Sequence, residues 1–163
     1  MVVGFDYSTF FIDAVFLDDD LKPTWKRWPL EGHDAFERTR QVRDALPSRG
    51  WWTDEGVEAV GIEDPRGHAS GVLSRVQGAI LACLPTEVLV QPWDPKSWRK
   101  QIGVPGNASK DAVAYAGNLL ILARYSNAKG VPISGWPWPQ DAIDAFCIAE
   151  ATAQKLEVVG PQP

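Results

Sequence analysis

Four carboxylates stand at positions where a folded chain has little structural use for them. Asp6 ends the apolar run "VVGF", and Glu63 ends "VEAVGI". Asp141 and Asp144 lie in "QDAIDAF", three residues apart, so they share one helix face amid Ala142, Ile143, Ala145 and Phe146. Burying an unpaired carboxylate is costly, so such a group pairs, neutralises or binds a cation. Each has an ordinary alternative. Asp141 and Asp144 suit the positive end of a helix dipole, Glu63 can open a turn, and Asp6 can be a hydrogen-bonded core acid. One role covers all four. Carboxylates gathered in a chain with only two histidines and no CxxC pair select hard cations such as Mg²⁺ or Mn²⁺. Two such ions about 3.5–4 Å apart activate a water and stabilise the leaving oxygen in phosphodiester hydrolysis.

Positioning these groups requires strands that end together and a helix that crosses them. "MVVGFDYS" predicts a strand ending near Asp6, and "TFFIDAVFLD" a second strand joined to it as an antiparallel hairpin. "KPTWKRWPL" predicts a third. "EGHDAFERTRQVRDALPSRG" carries an approximate helical stripe of Phe36, Val42, Ala45 and Leu46, closed by Pro47 and Gly50. "VEAVGIEDP" is a buried strand that Pro65 terminates. "HASGVLSRVQGAILACL" is a helix with a small-residue face, and its two interior glycines predict the close packing of another backbone. "TEVLVQP" is a strand and "DPKSWRKQIG" a short basic helix or turn. "ASKDAVAYAGNLLILARYS" is a long helix capped by Ser109. "QDAIDAFCIAEATAQKLE" is the last helix, leaving 158–163 as a frayed tail. The order β-β-β-α-β-α-β-α-α predicts one α/β domain over 1–157: a five-stranded mixed sheet flanked by helices.

At 163 residues the chain can bury a sizeable core. No run reaches the roughly 20 apolar residues of a membrane span, and the N-terminus has no signal-peptide pattern. Cys83 and Cys147 fall in apolar helical stretches, which predicts reduced core residues in a cytoplasmic protein. A net charge of −5 argues mildly against a polyanionic partner. Locally the balance reverses: Lys96, Arg99, Lys100 and Lys110 face Asp94 alone between 93 and 110. Such a patch can hold phosphates or be a solvated surface.

"VVGFDYST", "VEAVGIED" and "PQDAIDAFCIAEA", in that order and spacing, resemble the RuvC-type Holliday-junction resolvases of the ribonuclease-H-like superfamily. The resemblance covers nearly the whole chain. It implies a ribonuclease-H-like fold with a three-strand antiparallel meander plus two parallel strands. It implies a two-Mg²⁺ site, in which Mn²⁺ substitutes, held by Asp6, Glu63, Asp141 and Asp144. It assigns DNA contact near the site to Lys110, in "VPGNASKDAV", and a homodimer interface to the small-residue helix with Gly71, Gly78 and Ala82. Departures are visible. The family often has Pro-Gly where this chain has Tyr7-Ser8, it tends to be more basic, and it carries a base-stacking aromatic soon after the Glu, where "DPRGH" offers only Arg66 and His68. Such drift resembles that of phage-encoded members.

The expectation is therefore a metal-dependent endodeoxyribonuclease acting as a homodimer on four-way DNA junctions, with Arg66, Lys96, Arg99, Lys100 and Lys110 on DNA. A dimer supplies two sites for a two-fold symmetric substrate. The alternatives are a nuclease of broader branched-DNA or RNA/DNA-hybrid choice, and a junction-binding module without turnover. "GFDYST" is also similar to the first phosphate loop of actin-like phosphotransferases, but those folds need two domains. Trp51-Trp52 and Trp136-Pro137-Trp138 can stack on bases or anchor a core.

Overall fold

The computed structural model describes residues 1–18, 23–65, 70–125 and 137–159. The chain enters as a meander, β1 (Val2–Tyr7), β2 (Phe11–Leu17) and β3 (Pro23–Pro29), with both pairings antiparallel. Ser8 makes the first turn. Its backbone NH donates to the Phe11 carbonyl at 2.9 Å, and its hydroxyl accepts from the NH groups of Phe10 and Phe11. Thr9 and Phe10 therefore belong to the turn rather than to the strand the sequence predicts. Two further strands, β4 (Ala59–Glu63) and β5 (Leu89–Trp93), join in parallel to give the order β3-β2-β1-β4-β5. The prolines at both ends of β3 are tolerated because β3 is an edge.

The helices are α1 (Ala35–Ala45), α2 (Arg49–Asp54), α3 (Ser70–Ala82), α4 (Pro95–Gln101), α5 (Lys110–Tyr125) and α6 (Gln140–Val159). Asp34 caps α1 by accepting from Phe36 and Glu37, and Asp94 caps α4, whose first residue is Pro95. Ser109 accepts from Ala112 at the start of α5, as its position predicts. The sequence reading ran one helix from 31 to 50. The structure breaks it at Pro47, and α2 turns Trp52 fully inward against Phe5 and Phe16. The last helix continues to Val159, two residues beyond the predicted end; 160–163 lie outside the described residues.

Strand alternation sends the two sheet faces into two cores. Val3, Phe5, Ile12, Ala14, Phe16, Val60 and Ile62 pack toward α1, α2 and α3. Val15, Leu17 and Trp93 pack toward α4, α5 and α6. Both cysteines are buried and free. On the second face Gly4 and Gly61 leave β1 and β4 without side chains, and α6 fills the space. A Cβ at Gly4 would collide with the Ala145 carbonyl and the Ala149 backbone, and one at Gly61 with Thr152 and Ile148. The two glycines of α3 behave differently: among the described residues nothing lies within 4 Å of a Cβ built at Gly71 or Gly78. Among the described residues no helix is long and apolar enough to cross a membrane.

Gly4→Ala is expected to cost about 3 kcal/mol or more, because the clash is with helix backbone that cannot move alone. Gly50→Ala, in α2 with open space around it, is expected to stay within about 1 kcal/mol of the parent. Urea denaturation of both variants checks the contrast.

Candidate active site

Register places the site. β1 and β2 pair Asp6 with Asp13, and β2 and β3 pair Asp13 with Arg27. Phe5 pairs with Ile62 across β1 and β4, which sets Glu63 level with Asp6, and Glu63 pairs with Trp93 of β5. Opposed residues on neighbouring strands share a sheet face. One row therefore crosses all five strands: Arg27, Asp13, Asp6, Glu63, Trp93. It lies on the face that α6 covers. The first turns of α6 bring Asp141 and Asp144 to this row, because Ala145 and Ala149 sit on the bare backbone at Gly4.

The electrostatics are those of crowded acids. Burial raises the pKa of Asp6 well above the ordinary carboxylate range, and the fields of Asp144, Glu63, Asp141 and Asp13 add to it. Asp144 is pushed from 3.8 up to about 6, first by burial; Gln140 opposes the rise, Glu63 adds to it, and Lys110 and Arg99 oppose it. Burial also raises Glu63, against a hydrogen bond from Trp98 and the charges of Arg99 and Lys110. Each acid has taken a donor from the protein. Tyr7 NH donates to Asp6 Oδ1 at 3.0 Å, Trp98 Nε1 to Glu63 Oε2 at 2.7 Å, and Gln140 Nε2 to Asp144 Oδ1 at 2.8 Å. Arg27 Nη2 lies 3.2 Å from Asp141 Oδ2. Among the described residues no three His, Cys, Asp or Glu side chains form a group that could hold a metal ion as they stand. The donor chemistry nonetheless fits a hard divalent cation. It is all oxygen, partly buried and mutually repulsive, and a 2+ charge removes that repulsion.

Backbone contacts fix the two strand acids. The Tyr7 hydroxyl donates to the Glu63 carbonyl at 2.9 Å, and Gln77 Nε2 donates to the same carbonyl at 3.2 Å. Tyr7 thus ties the end of β1 to the end of β4.

The structure brings Asp6, Glu63, Asp141 and Asp144 together. It also places Arg99 and Lys110 where their charges act on Glu63 and Asp144. Lys96 and Lys100 are exposed on α4, with their stems over Gly106. Arg66 and His68 lie outside the described residues, as does Trp136. Trp138 is buried and tilts against Trp25, and Trp52 is core, so neither is offered to a base. Gly71, Gly78 and Ala82 are exposed along α3. Sequence reasoning missed Asp13, Arg27, Trp98 and Gln140. Asp13 had a usable signal, since "FFIDAVF" encloses a carboxylate in an apolar strand just as "VVGFDY" does.

The antiparallel meander, the two parallel strands and acids contributed by β1, β4 and the last helix define a ribonuclease-H-like fold. No family model matches the chain, and no curated protein matches it. Solved structures do. The chain is similar to Thermus thermophilus RuvC (TM-score 0.63, 19% identity, 97% of this chain and 96% of that chain covered). It is similar to T. thermophilus RuvC in complex with Holliday junction substrate (0.66, 16%, 96% and 95%). It also matches the yeast mitochondrial Holliday junction resolvase Ydc2 (0.59, 13%, 94% and 78%). At these identities the likeness is one of fold.

A carboxyl whose pKa is higher in the folded than in the unfolded chain takes up protons on folding, so its stabilising contribution is lost as pH rises. For Asp144 that loss runs from about 4 through about 6. In chelator, Asp144→Asn is therefore expected to gain roughly 1–2 kcal/mol over the parent as pH rises across this window. Thermal melts from pH 4.5 to 7.5 check it; a difference that shrinks with rising pH contradicts the assignment.

Proposed function

We propose that the chain is a divalent-cation-dependent endonuclease that resolves four-way DNA junctions. The observation that carries this reading is the convergence of Asp6, Glu63, Asp141 and Asp144 at the C-terminal ends of β1 and β4, with Arg99 and Lys110 acting on two of them. The likeness in fold to two junction resolvases, one solved with its junction, supports the choice of substrate. In this reading the four carboxylates hold two Mg²⁺ ions, and Mn²⁺ substitutes. The bound ions would supply Lewis-acid activation of a water and charge stabilisation on the phosphate. The chain's own residues do the rest. Asp6, fixed by the Tyr7 NH on a rigid strand, is central to the ligand set because it feels the other three acids. Trp98 and Gln140 orient Glu63 and Asp144. Arg99 and Lys110 would draw in the scissile phosphate and offset its charge. Water would add to phosphorus as the bond to the 3′ or 5′ oxygen breaks, the water's proton passing to solvent and the departing oxygen taking one up from solvent; no carboxylate bonds to phosphorus, so no covalent intermediate forms.

Two coordinated cuts require two sites, and the reading includes a homodimer. The open face of α3 at Gly71, Gly78 and Ala82 is the surface on which a second copy would approach closely.

Asp6→Asn is expected to lower junction cleavage at least 10³-fold while leaving junction affinity in Ca²⁺ within about threefold. Chelator is expected to abolish cleavage by the parent. Gel assays on junction, flap, fork and RNA/DNA-hybrid substrates check this. Full activity of the variant, or activity in chelator, would falsify the metal mechanism; equal cleavage of all four substrates would remove junction selectivity.

A further inference from the structure

The acid cluster has a fifth member that the proposed ligand set does not use. Asp13 is fully buried, directly across from Asp6, and its carboxylate is held on both oxygens. Arg27 Nε donates to Oδ1 at 2.9 Å and to Oδ2 at 3.2 Å, Arg27 Nη2 to Oδ2 at 2.7 Å, and Trp25 Nε1 to Oδ1 at 2.7 Å. The guanidinium is further fixed by the Phe11 ring, whose centroid is 4.2 Å from Cζ. The same Nη2 that bonds Asp13 also donates to Asp141 Oδ2 at 3.2 Å. An edge strand is thereby tied to the first turn of α6 through a single nitrogen. The pair joins a fully buried carboxylate to a guanidinium that is 34% exposed, and a pair with a buried member is a weak source of stability, since well-packed neutral residues often serve as well. Its geometry is better explained by the carboxylate it reaches.

We propose that Arg27, anchored on the buried Asp13, is a positioning residue that sets the Asp141 carboxylate at the rim of the acid cluster for cation binding. The proposal rests on the reading of Asp141 as a metal ligand. An anchored guanidinium fixes the direction of a partner carboxylate in a way that a mobile lysine does not. Outer partners of metal ligands commonly govern metal affinity in this manner.

A charge-neutral pair of changes separates positioning from simple electrostatics. Asp13→Asn/Arg27→Gln removes one negative and one positive charge, so the net charge near the site stays the same. It also avoids the unpaired buried carboxylate that Arg27→Gln alone would leave, which would itself destabilise the fold. The probe is Mn²⁺, titrated into the full chain and followed by the electron paramagnetic resonance signal of the free ion, with thermal melts in chelator alongside. The double variant is expected to melt close to the parent yet bind Mn²⁺ about 10- to 100-fold more weakly. Arg27→Lys, which keeps the charge but loses the fork, is expected to bind Mn²⁺ more weakly than the parent as well. A double variant with the parent's Mn²⁺ affinity would overturn the proposal and leave the pair a structural one. Failure of the parent to bind Mn²⁺ would overturn both this proposal and the metal reading. Parent binding of Mn²⁺ with no cleavage of any DNA would sink the nuclease reading alone, and the isotherms would still decide the role of Arg27.

Discussion

The direct contact of α6 with the bare backbone of β1 and β4 is the constraint on which the rest of the site depends. Gly4 and Gly61 are neighbours in register, and together they open a trough that only a helix of small residues can enter. Ala142, Ala145 and Ala149 meet that demand, with Ile148 and Thr152 over Gly61. Because Ala145 and Ala149 are seated on Gly4, the turn of α6 that precedes them reaches the Asp6 end of β1, and this is where Asp141 and Asp144 are. The separation of acids along the chain, from 6 to 144, is closed by a contact that involves no acid at all.

Seating the acids this closely raises the free energy of the folded chain, and the surroundings offset only part of it. The offset is uneven across the row. Toward β3 a complete ion pair, Asp13 with Arg27, satisfies one acid and reaches a second. Toward β5 the compensation is softer: an indole NH on Glu63 and the more distant charges of Arg99 and Lys110. Asp6 lies between the two sides, with a backbone NH as its donor and like charges around it. Its raised pKa is the sum of that position. A group so placed has the most to gain from a divalent cation.

Much of this was legible in the sequence, for physical reasons that differ by element. The strands were visible because each face of the sheet is covered, so β1, β2 and β4 read as apolar runs, and a carboxylate in such a run stands out. The pair in "DAID" was visible because helical spacing fixes which side chains share a face. What was hidden depended on partners distant in sequence. Trp51 and Trp52 lie beyond a proline and could stack on bases or anchor a core, and it is α2 that turns Trp52 into the core. Trp98 read as part of a short basic helix or turn, and nothing local indicates that its NH points at Glu63, 35 residues earlier. The glycines of α3 read as a site of close packing, and within the described residues α6 closes instead on Gly4 and Gly61 in the strands and on Gly117 in α5; in the strands the sequence shows only a gap in an apolar run.

Tyr7 and Ser8 illustrate how one departure can be absorbed locally. Ser8 supplies through its hydroxyl the turn hydrogen bonds that a tight β1–β2 connection needs. Tyr7 alternates to the face opposite Asp6, which leaves its ring free to reach over β4 and bond the Glu63 carbonyl. The two residues after the first acid therefore act on opposite sides of β1, one shaping the hairpin toward β2 and the other bracing the second acid on β4. Asp6 lies between these two fixings, and its Oδ1 accepts from the Tyr7 NH, so both its backbone and its carboxylate are held in place. A carboxylate crowded by like charges keeps its position only where its neighbours hold it in this way.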